Sequence, residues 1–187
     1  SEDMRPQALL AEMNVEFVGT TDDPVDDLSF HERAHQEVPG VDIRPTWRGD
    51  RAVNVHLAEF TDFVGALDDR VDHDARTFAG FLDGLASTHD YFDQRGCVAC
   101  DIGVREPVSR PVSEERARRV FEKRLAGERI TDREVSDFQA YLLEFVTELN
   151  VAKGWVTQLH MGPVRNYRER LYEELGPASG GTVTTGD

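Results

Sequence analysis

Lysine is nearly absent from this chain, in which Lys123 and Lys153 are the only two. Arginine supplies the other basic residues, and 21 basic residues face 36 acidic ones, so the net charge is −15. A nucleic-acid partner is disfavoured, because phosphate binding needs a basic face. The acids are spread along the chain, which indicates a solvated and self-repelling surface. We hypothesise adaptation to a high-salt, halophilic cytoplasm, with an ordinary acidic protein as the alternative.

Long apolar runs are also missing, since no stretch approaches the roughly 18 residues of a membrane span. The first five residues lack the basic and apolar regions of a signal peptide. Together with a mean hydropathy of −0.50, these absences predict a soluble, cytoplasmic protein with no membrane partner. A length of 187 residues allows one buried core, so we expect a single domain over 1–187.

Cysteine is scarce as well: Cys97 and Cys100 form one CxxC pair. A zinc ribbon needs a second pair, which the chain lacks. A redox CxxC usually opens a helix, where the helix dipole lowers the pKa of a thiol. These two cysteines lie in a strand-like run, so we interpret them as buried strand thiols, with the redox pair as the alternative.

Strand-like and helical patterns alternate along the chain. The predicted strands cover 14–19, 41–47, 97–102 and 155–159. The predicted helical regions cover 25–38, 56–94, 113–152 and 165–175. A capping box formed by Thr131 and Glu134 lies within the region 113–152. We treat 56–95 and 113–152 as helical insertions and 176–187 as a flexible tail.

This alternation predicts parallel β/α units. About four units with long helical insertions fit part of a (β/α)8 barrel of the TIM type, because a whole barrel needs about 250 residues. An open four-stranded α/β sheet is the alternative, although the chain has no glycine-rich phosphate loop. In a barrel, polar residues at the carboxyl ends of strands meet at one mouth, which makes His160 a candidate site residue.

The motifs at these strand ends resemble those of the uronate isomerase (glucuronate isomerase) family of the amidohydrolase superfamily. The matches occur in order along nearly the whole chain, whereas family members are much longer, so the chain resembles their central portion. The matching stretches are 14–24, 45–50, 96–101, 123–127 and 154–166.

The resemblance implies an aldose–ketose isomerase that interconverts D-glucuronate with D-fructuronate, and D-galacturonate with D-tagaturonate. It implies that Arg48, in a Trp-Arg-x-Asp motif, binds the substrate and that Asp101 and His160 are catalytic. It also implies a divalent metal, zinc by expectation, at the barrel mouth. The family's His-x-His and its metal-binding Asp have no counterpart here, so we expect no metal bound by this chain and no activity of the chain alone.

The residue types fit that chemistry. Aldose–ketose isomerisation moves a proton between adjacent carbons through an enediol, so it needs an acid, a base and stabilisation of developing negative charge. A planar guanidinium such as that of Arg48 can hold a uronate carboxylate by two hydrogen bonds. Asp101 could move a proton or orient a hydroxyl, and His160 could donate to a substrate oxygen. Alternatively, Arg48 and Asp101 form only an ion pair across adjacent strands.

Two other function classes stay open. One is a non-catalytic acidic interaction module, which could form a homo-oligomer through exposed sheet edges. The other is a metal-dependent hydrolase of the same superfamily. Ile102 and Gly49 depart from the family pattern, which leaves the preferred uronate open.

Two further clusters are interpreted as structural. The acids within 20–24 are typical of helix caps or turns. His31 and His35 have a spacing that can bind a metal, but without a third ligand they are interpreted as a surface pair.

The charge imbalance generates a first prediction. The fold is expected to melt at a higher temperature in about 1 M KCl than in dilute buffer, because salt screens the repulsion among excess acids. Thermal melts at the two salt concentrations measure this, and an unchanged midpoint would contradict the halophilic interpretation.

Overall fold

A computed structural model of the protein describes residues 5–104, 108–165, 168–176 and 182–184. Helices and short strands alternate through most of these residues. In chain order the elements are α1 (Pro6–Glu12), β1 (Phe17–Gly19), α2 (Ser29–Glu37), β2 (Asp42–Arg44), β3 (Trp47–Arg48), α3 (Asp50–Val53), α4 (Phe60–Arg70), α5 (Phe78–Asp93), β4 (Ala99–Gly103), α6 (Glu114–Leu125), α7 (Asp132–Lys153), β5 (Val156–His160), β6 (Pro163–Arg165), α8 (Glu169–Leu175) and β7 (Thr182–Thr184).

The strands from β1 to β5 form two parallel ladders. One ladder joins β1 to β2, and a second has the order β3–β4–β5. An isolated parallel bridge joins Asp22, three residues after β1, to Trp47 of β3. The Asp22 amide donates to the Thr46 carbonyl at 3.0 Å, and the Arg48 amide donates to the Asp22 carbonyl at 2.9 Å. The predicted α/β class is confirmed.

The single strand predicted over 41–47 is wrong, because the structure divides it into β2 and β3. Pro45 lies at the division and has no amide hydrogen to give to a ladder. The next amide, that of Thr46, donates to the carboxylate of Asp22 at 3.2 Å instead of to a backbone carbonyl. The segment thereby changes partner, from β1 before Pro45 to β4 after it.

Helix boundaries differ from the sequence-based ones where local side chains compete with the helix. The helix predicted from residue 25 begins at Ser29, because Leu28 before it has a left-handed backbone with φ of 57°. The carboxylates of Asp26 and Asp27 accept the amide hydrogens of Leu28 and Ser29. Side chains that bind nearby amides favour turns in this way. Helix α1 lies in a stretch for which no helix was predicted.

Differences are also found near the end of the chain. Arg165, predicted to open the last helix, lies in β6, and α8 begins at Glu169. Within the stretch predicted as a flexible tail, β7 pairs antiparallel with β6, as its β-branched residues favour. Residues 166–167, 177–181 and 185–187 of these two predictions lie outside the described residues.

The long helices pack on one side of the β3–β4–β5 sheet. Trp47, Cys100 and Ile102 point from the strands into this core and are nearly or fully buried. Five phenylalanines of the helices meet there with ring centroids 5.0–6.4 Å apart, and they are Phe60, Phe78, Phe81, Phe121 and Phe138. No helix within the described ranges has both the length and the apolar character that crossing a bilayer requires.

The CxxC pair lies against this core. Both thiols are free and buried, and burial raises the pKa of Cys97 to about 11 and that of Cys100 to about 12. Cys100 lies within β4, whereas Cys97 comes just before it. The predicted burial of both thiols is therefore confirmed, whereas the predicted strand position is correct for Cys100 and wrong for Cys97.

The predicted capping box at the start of α7 is present. The Thr131 hydroxyl accepts the Glu134 amide, and the Glu134 carboxylate accepts the Thr131 amide at 2.8 Å. Lys123 of α6 donates to the other oxygen of Glu134 at 2.7 Å. These hydrogen bonds, led by the one from Lys123, lower the pKa of Glu134 to about 2. The start of α7 is thus fixed to α6.

Removing this cap tests how much it contributes. Thr131→Ala is expected to cost about 1 kcal/mol of unfolding free energy, which lowers Tm by roughly 2–4 °C for a chain of this size. Thr147→Ala is the control, because Thr147 is exposed within the same helix and alanine favours a helix interior. Equal melting of the two variants would contradict the contribution of the cap.

Candidate functional site

The three residues predicted for the site lie on adjacent strands of one parallel sheet. Arg48 of β3 is the register partner of Asp101 of β4, and His160 at the end of β5 is the partner of Gly103. Side chains of register partners in parallel strands share a face, and residues two apart return to it. Arg48, Asp101 and His160 therefore project from one face, opposite the buried side chains of Trp47 and Cys100.

Asp101 is the buried member of the group, with 5% of its surface exposed. Its Oδ2 lies 3.7 Å from Nε2 of His160, and its Oδ1 has no hydrogen-bond partner among the described residues. Burial raises the pKa of Asp101 above its ordinary value, and Asp50 and Asp22 add to this effect. Arg48 and His160 act on this pKa in the opposite direction without cancelling the effect of burial. Asp101 thus accepts a proton more readily than an exposed aspartate.

Arg48 forms its ion pair with Asp50, two residues along the chain. Its Nε and Nη2 both lie 2.8 Å from Oδ2 of Asp50. Burial lowers the pKa of Arg48, but the hydrogen bond and the charge of Asp50 outweigh this and raise it. Among the described residues the ion-pair partner of Arg48 is thus Asp50, and the alternative of an Arg48–Asp101 pair across adjacent strands is not formed.

His160 lies at the open end of the site, with 43% of its side chain exposed. Its carbonyl accepts the amide hydrogen of Val104 at 3.1 Å, which extends the pairing of β4 and β5 to the last residue of β5. The backbone of His160 is thereby fixed while its ring stays accessible to a ligand.

Sequence reasoning assigned no role to Asp50, although Asp50 stands in the Trp-Arg-x-Asp motif. Its second oxygen, Oδ1, accepts the amide hydrogen of Gly103 on β4. The available signal was that Asp50 follows Arg48 by two residues. Where a strand ends and a helix begins at once, the chain turns, and the turn can bring the Asp50 carboxylate back to the Arg48 guanidinium.

The acids of 20–24 form turns and strand contacts. Asp23 accepts the Val25 amide at 3.1 Å and pairs with Arg51 at 2.9 Å, as a turn former does. Asp22 accepts the hydroxyl hydrogen of Thr20 at 2.6 Å, in addition to its bond from the amide after Pro45.

The interpretation of His31 as half of a surface pair is wrong. Its side chain is 14% exposed, and its Nε2 lies 2.8 Å from the hydroxyl oxygen of Thr20. The helix that carries it packs against β2, which turns this residue inward, whereas His35 one turn later is exposed. Nothing in the sequence signals that His31 faces inward, because α2 is short and mostly polar and has no clear apolar face.

A metal centre does not fit the residues that the structure describes. Within these ranges no group of three or more His, Cys, Asp or Glu side chains could hold a metal ion. The arrangement offers a guanidinium that can bind an anion, a buried carboxyl group with a raised pKa, and an accessible imidazole next to it. Such a set can bind an acid and transfer protons.

Comparison with known protein families gives one match over the whole chain. The family model described as glucuronate isomerase matches residues 1–187. The uronate isomerase of Thermotoga maritima is 44% identical over 183 residues, which cover 98% of this chain and 41% of that protein. The uronate isomerase of Oceanobacillus iheyensis is 37% identical over 180 residues, covering 96% of this chain and 38% of that protein. The chain thus spans about two fifths of the length of these relatives.

Solved structures agree with this match. The crystal structure of uronate isomerase from Thermotoga maritima superposes with a TM-score of 0.92 at 43% identity, over 98% of this chain and 41% of that one. The glucuronate isomerase of Caulobacter crescentus superposes with a TM-score of 0.87 over 100% of this chain and 39% of that one. The latter is only 20% identical, so it supports the fold alone.

Two buried aspartates with opposite pKa shifts provide a test of the site. Asp137 is 2% exposed; burial raises its pKa, but hydrogen bonds from Arg116 and Arg110 outweigh this and lower it. A raised carboxyl pKa destabilises the fold at neutral pH, and a lowered one stabilises it there. Asp101→Asn is therefore expected to melt at or above the wild-type temperature at pH 7, with the difference closing as pH falls towards the ordinary value of 3.8.

Asp137→Asn is the matched control. It is expected to lose on the order of 2 kcal/mol at pH 7, the scale of hydrogen bonds to a charged group. Its deficit should shrink only below the ordinary pKa of 3.8, where the wild-type carboxylate takes up a proton. Melts of both variants between pH 3 and 7 measure this, and a clear loss of stability in Asp101→Asn at pH 7 would contradict the raised pKa of Asp101.

Proposed function

Because the chain belongs to the glucuronate isomerase family, we propose that it is part of an aldose–ketose isomerase acting on uronates. The reactions are the interconversion of D-glucuronate with D-fructuronate, and of D-galacturonate with D-tagaturonate. Since the chain spans about two fifths of its relatives, the activity belongs to the full-length protein that carries it. The isolated 187-residue chain is expected to be inactive.

The fold proposed for this segment is part of a (β/α)8 barrel. Parallel strands that pair in chain order support this, because a barrel is wound in one direction, whereas open doubly wound sheets reverse their strand order. Apolar side chains on the two outer strands also support it. Phe17 on β1 is 51% exposed and Val156 on β5 is 59% exposed, as expected of strands that further elements cover.

The observation that carries the proposed function is the state of Asp101. A carboxyl group that is almost fully buried, with a raised pKa and with one oxygen that none of the described residues partners, is costly for stability. Such a group is suited to accept a proton from a substrate and return it. We assign Asp101 the transfer of the proton between the two carbons that exchange the carbonyl group.

Arg48 and His160 take the remaining roles. The guanidinium of Arg48 binds the carboxylate of the uronate, which distinguishes this substrate from a neutral sugar. The imidazole of His160 donates a hydrogen bond to a substrate oxygen, where negative charge develops as the enediol forms. The distance of 3.7 Å between His160 and Asp101 lets the two act on neighbouring atoms of one small molecule.

The family resemblance implies a divalent metal, zinc by our expectation, in the full-length protein. When bound, such an ion would polarise a carbonyl or hydroxyl oxygen of the substrate. The described residues of this chain do not form a site for it, so its ligands belong to other segments. None of the roles assigned to Arg48, Asp101 and His160 depends on it.

Substitutions in the full-length protein test these roles. Arg48→Lys is expected to raise KM for D-glucuronate, because an ammonium group cannot make two parallel hydrogen bonds to a carboxylate. Asp101→Asn and His160→Asn are expected to lower kcat by about 100-fold or more, the usual scale for acid–base groups.

Arg44→Lys is the control for Arg48→Lys. Arg44 forms an ion pair with Asp42 at 2.8 Å, outside the site, so its loss should leave the kinetics unchanged. Normal turnover of D-glucuronate by all three site variants would overturn the assignment.

A further inference from the structure

We propose that Asp50 is the positioning residue of Arg48, which it orients so that the outer edge of the guanidinium stays free for the carboxylate of the substrate. The inference rests on the proposed function, in which Arg48 binds a uronate. It adds a residue that touches no substrate but decides the direction in which Arg48 offers its hydrogen bonds.

The first step is the geometry of the guanidinium. An arginine has five N–H donors in a rigid plane, arranged along a side edge and an outer edge. Oδ2 of Asp50 lies 2.8 Å from both Nε and Nη2 of Arg48, so it occupies the side edge. The outer edge, formed by Nη1 and the second N–H of Nη2, can then make two parallel bonds to a carboxylate.

The second step is that Asp50 is itself fixed across the sheet. Its Oδ1 accepts the amide hydrogen of Gly103 at the end of β4. Gly103 follows Asp101 by two residues and is the register partner of His160. One carboxylate thus links the guanidinium of Arg48 to the strand that carries Asp101, which sets the distance between the two groups.

The absence of a side chain at position 103 permits this approach. A Cβ at Gly103 would lie 3.3 Å from Oδ1 and 3.4 Å from Oδ2 of Asp50. A methyl group there would push the carboxylate by a few tenths of an ångström without changing any charge. Gly103→Ala therefore disturbs the same contact by a second, independent route.

The buried side-chain amides of Asn54 and Gln139 hold the backbone carbonyls of Asp50 and Gly103 in place. The Asn54 side chain donates to the carbonyls of Asp50 and Gly103 at 2.9 and 3.0 Å. Gln139 of α7 donates to the Asn54 oxygen at 2.8 Å. Gly103 is therefore bound to the α3 segment through both its N–H and its C=O, so the end of β4 and Asp50 form a fixed support for Arg48.

A second arginine–aspartate pair, Arg44 with Asp42, has the same spacing as Arg48 with Asp50 but lacks, within the described ranges, a side-chain link to another strand. Arg44 and Asp42 are also two residues apart, with Nε and Nη2 of Arg44 both 2.8 Å from Oδ2 of Asp42. That pair lies on β2, with 40% and 46% of the two side chains exposed. The side-chain hydrogen bond between Arg44 and Asp42 stays within β2, whereas Asp50 also accepts the amide hydrogen of Gly103 on β4.

The test compares Asp50→Asn, Gly103→Ala and the control Asp42→Asn. Asparagine carries no charge and has an NH2 donor in place of one carboxylate oxygen, so the guanidinium of Arg48 and the amide of Gly103 cannot both keep an acceptor oxygen in its present position. In the full-length protein, Asp50→Asn is expected to raise KM for D-glucuronate by about tenfold or more, the scale of one charge-assisted hydrogen bond, with a smaller change in kcat. Gly103→Ala should raise KM in the same direction, and Asp42→Asn should leave it unchanged.

A second measurement reads the position of Arg48 without activity. By NMR on the 187-residue chain, hydrogen exchange of the Arg48 Nε–H is expected to be faster in Asp50→Asn than in wild type, because its acceptor loses the negative charge, and unchanged in Asp42→Asn.

The two measurements separate the possible outcomes. Faster exchange with an unchanged KM would reduce Asp50 to a structural residue and overturn the inference, as would unchanged exchange in Asp50→Asn. A wild-type full-length protein that does not turn over uronates would refute the proposed function instead, and the exchange data would still decide whether Asp50 holds Arg48.

Discussion

The parallel pairing of β3 with β4 is the constraint on which the rest of the arrangement depends. Because Arg48 and Asp101 are register partners, the residues next to them, Trp47 and Cys100, are forced to the opposite face, where the helices bury them. A shift of one residue would exchange the two faces of a strand. It would place a tryptophan at the site and a guanidinium in the core, so the packing of the helices protects the register of the site.

The two faces of the β3–β4–β5 sheet differ in how well their buried groups are satisfied. Apolar side chains fill the helix side of the sheet, whereas the other face contains a carboxyl group with one oxygen that has no partner in the described part of the chain. Asp137 shows that the fold can satisfy a buried carboxylate fully, with two arginines bound to it. Asp101 has charged neighbours of both signs and keeps a raised pKa. The contrast supports the role that we propose for Asp101 in binding and proton transfer, since a group kept at a cost to stability is typical of functional sites.

Sequence reasoning found those parts of the structure that depend on local chemistry. The α/β alternation, the capping box at Thr131 and the buried thiols follow from periodicity and from residue type, and the placement of Arg48, Asp101 and His160 on adjacent parallel strands followed from family motifs, although Asp101 lies in the middle of β4 and not at its end. It missed parts that depend on distant partners. The change of strand partner at Pro45 requires the Asp22 carboxylate, and the role of Asp50 requires the amide of Gly103. Neither contact is encoded within one segment of the chain.

The division of the strand at Pro45 has a consequence for how the molecule opens. Helices α1 and α2, on one side of this division, contain no buried residue, and Val41 and Ile43 are buried outside the main apolar cluster. Segments with few buried contacts exchange and unfold at lower free energy than the rest of a domain. We therefore expect the first two strands and their helices to open as a unit at lower free energy than the phenylalanine core. Thermal fluctuations can loosen that unit while the face that carries Arg48, Asp101 and His160 stays folded on its phenylalanine core.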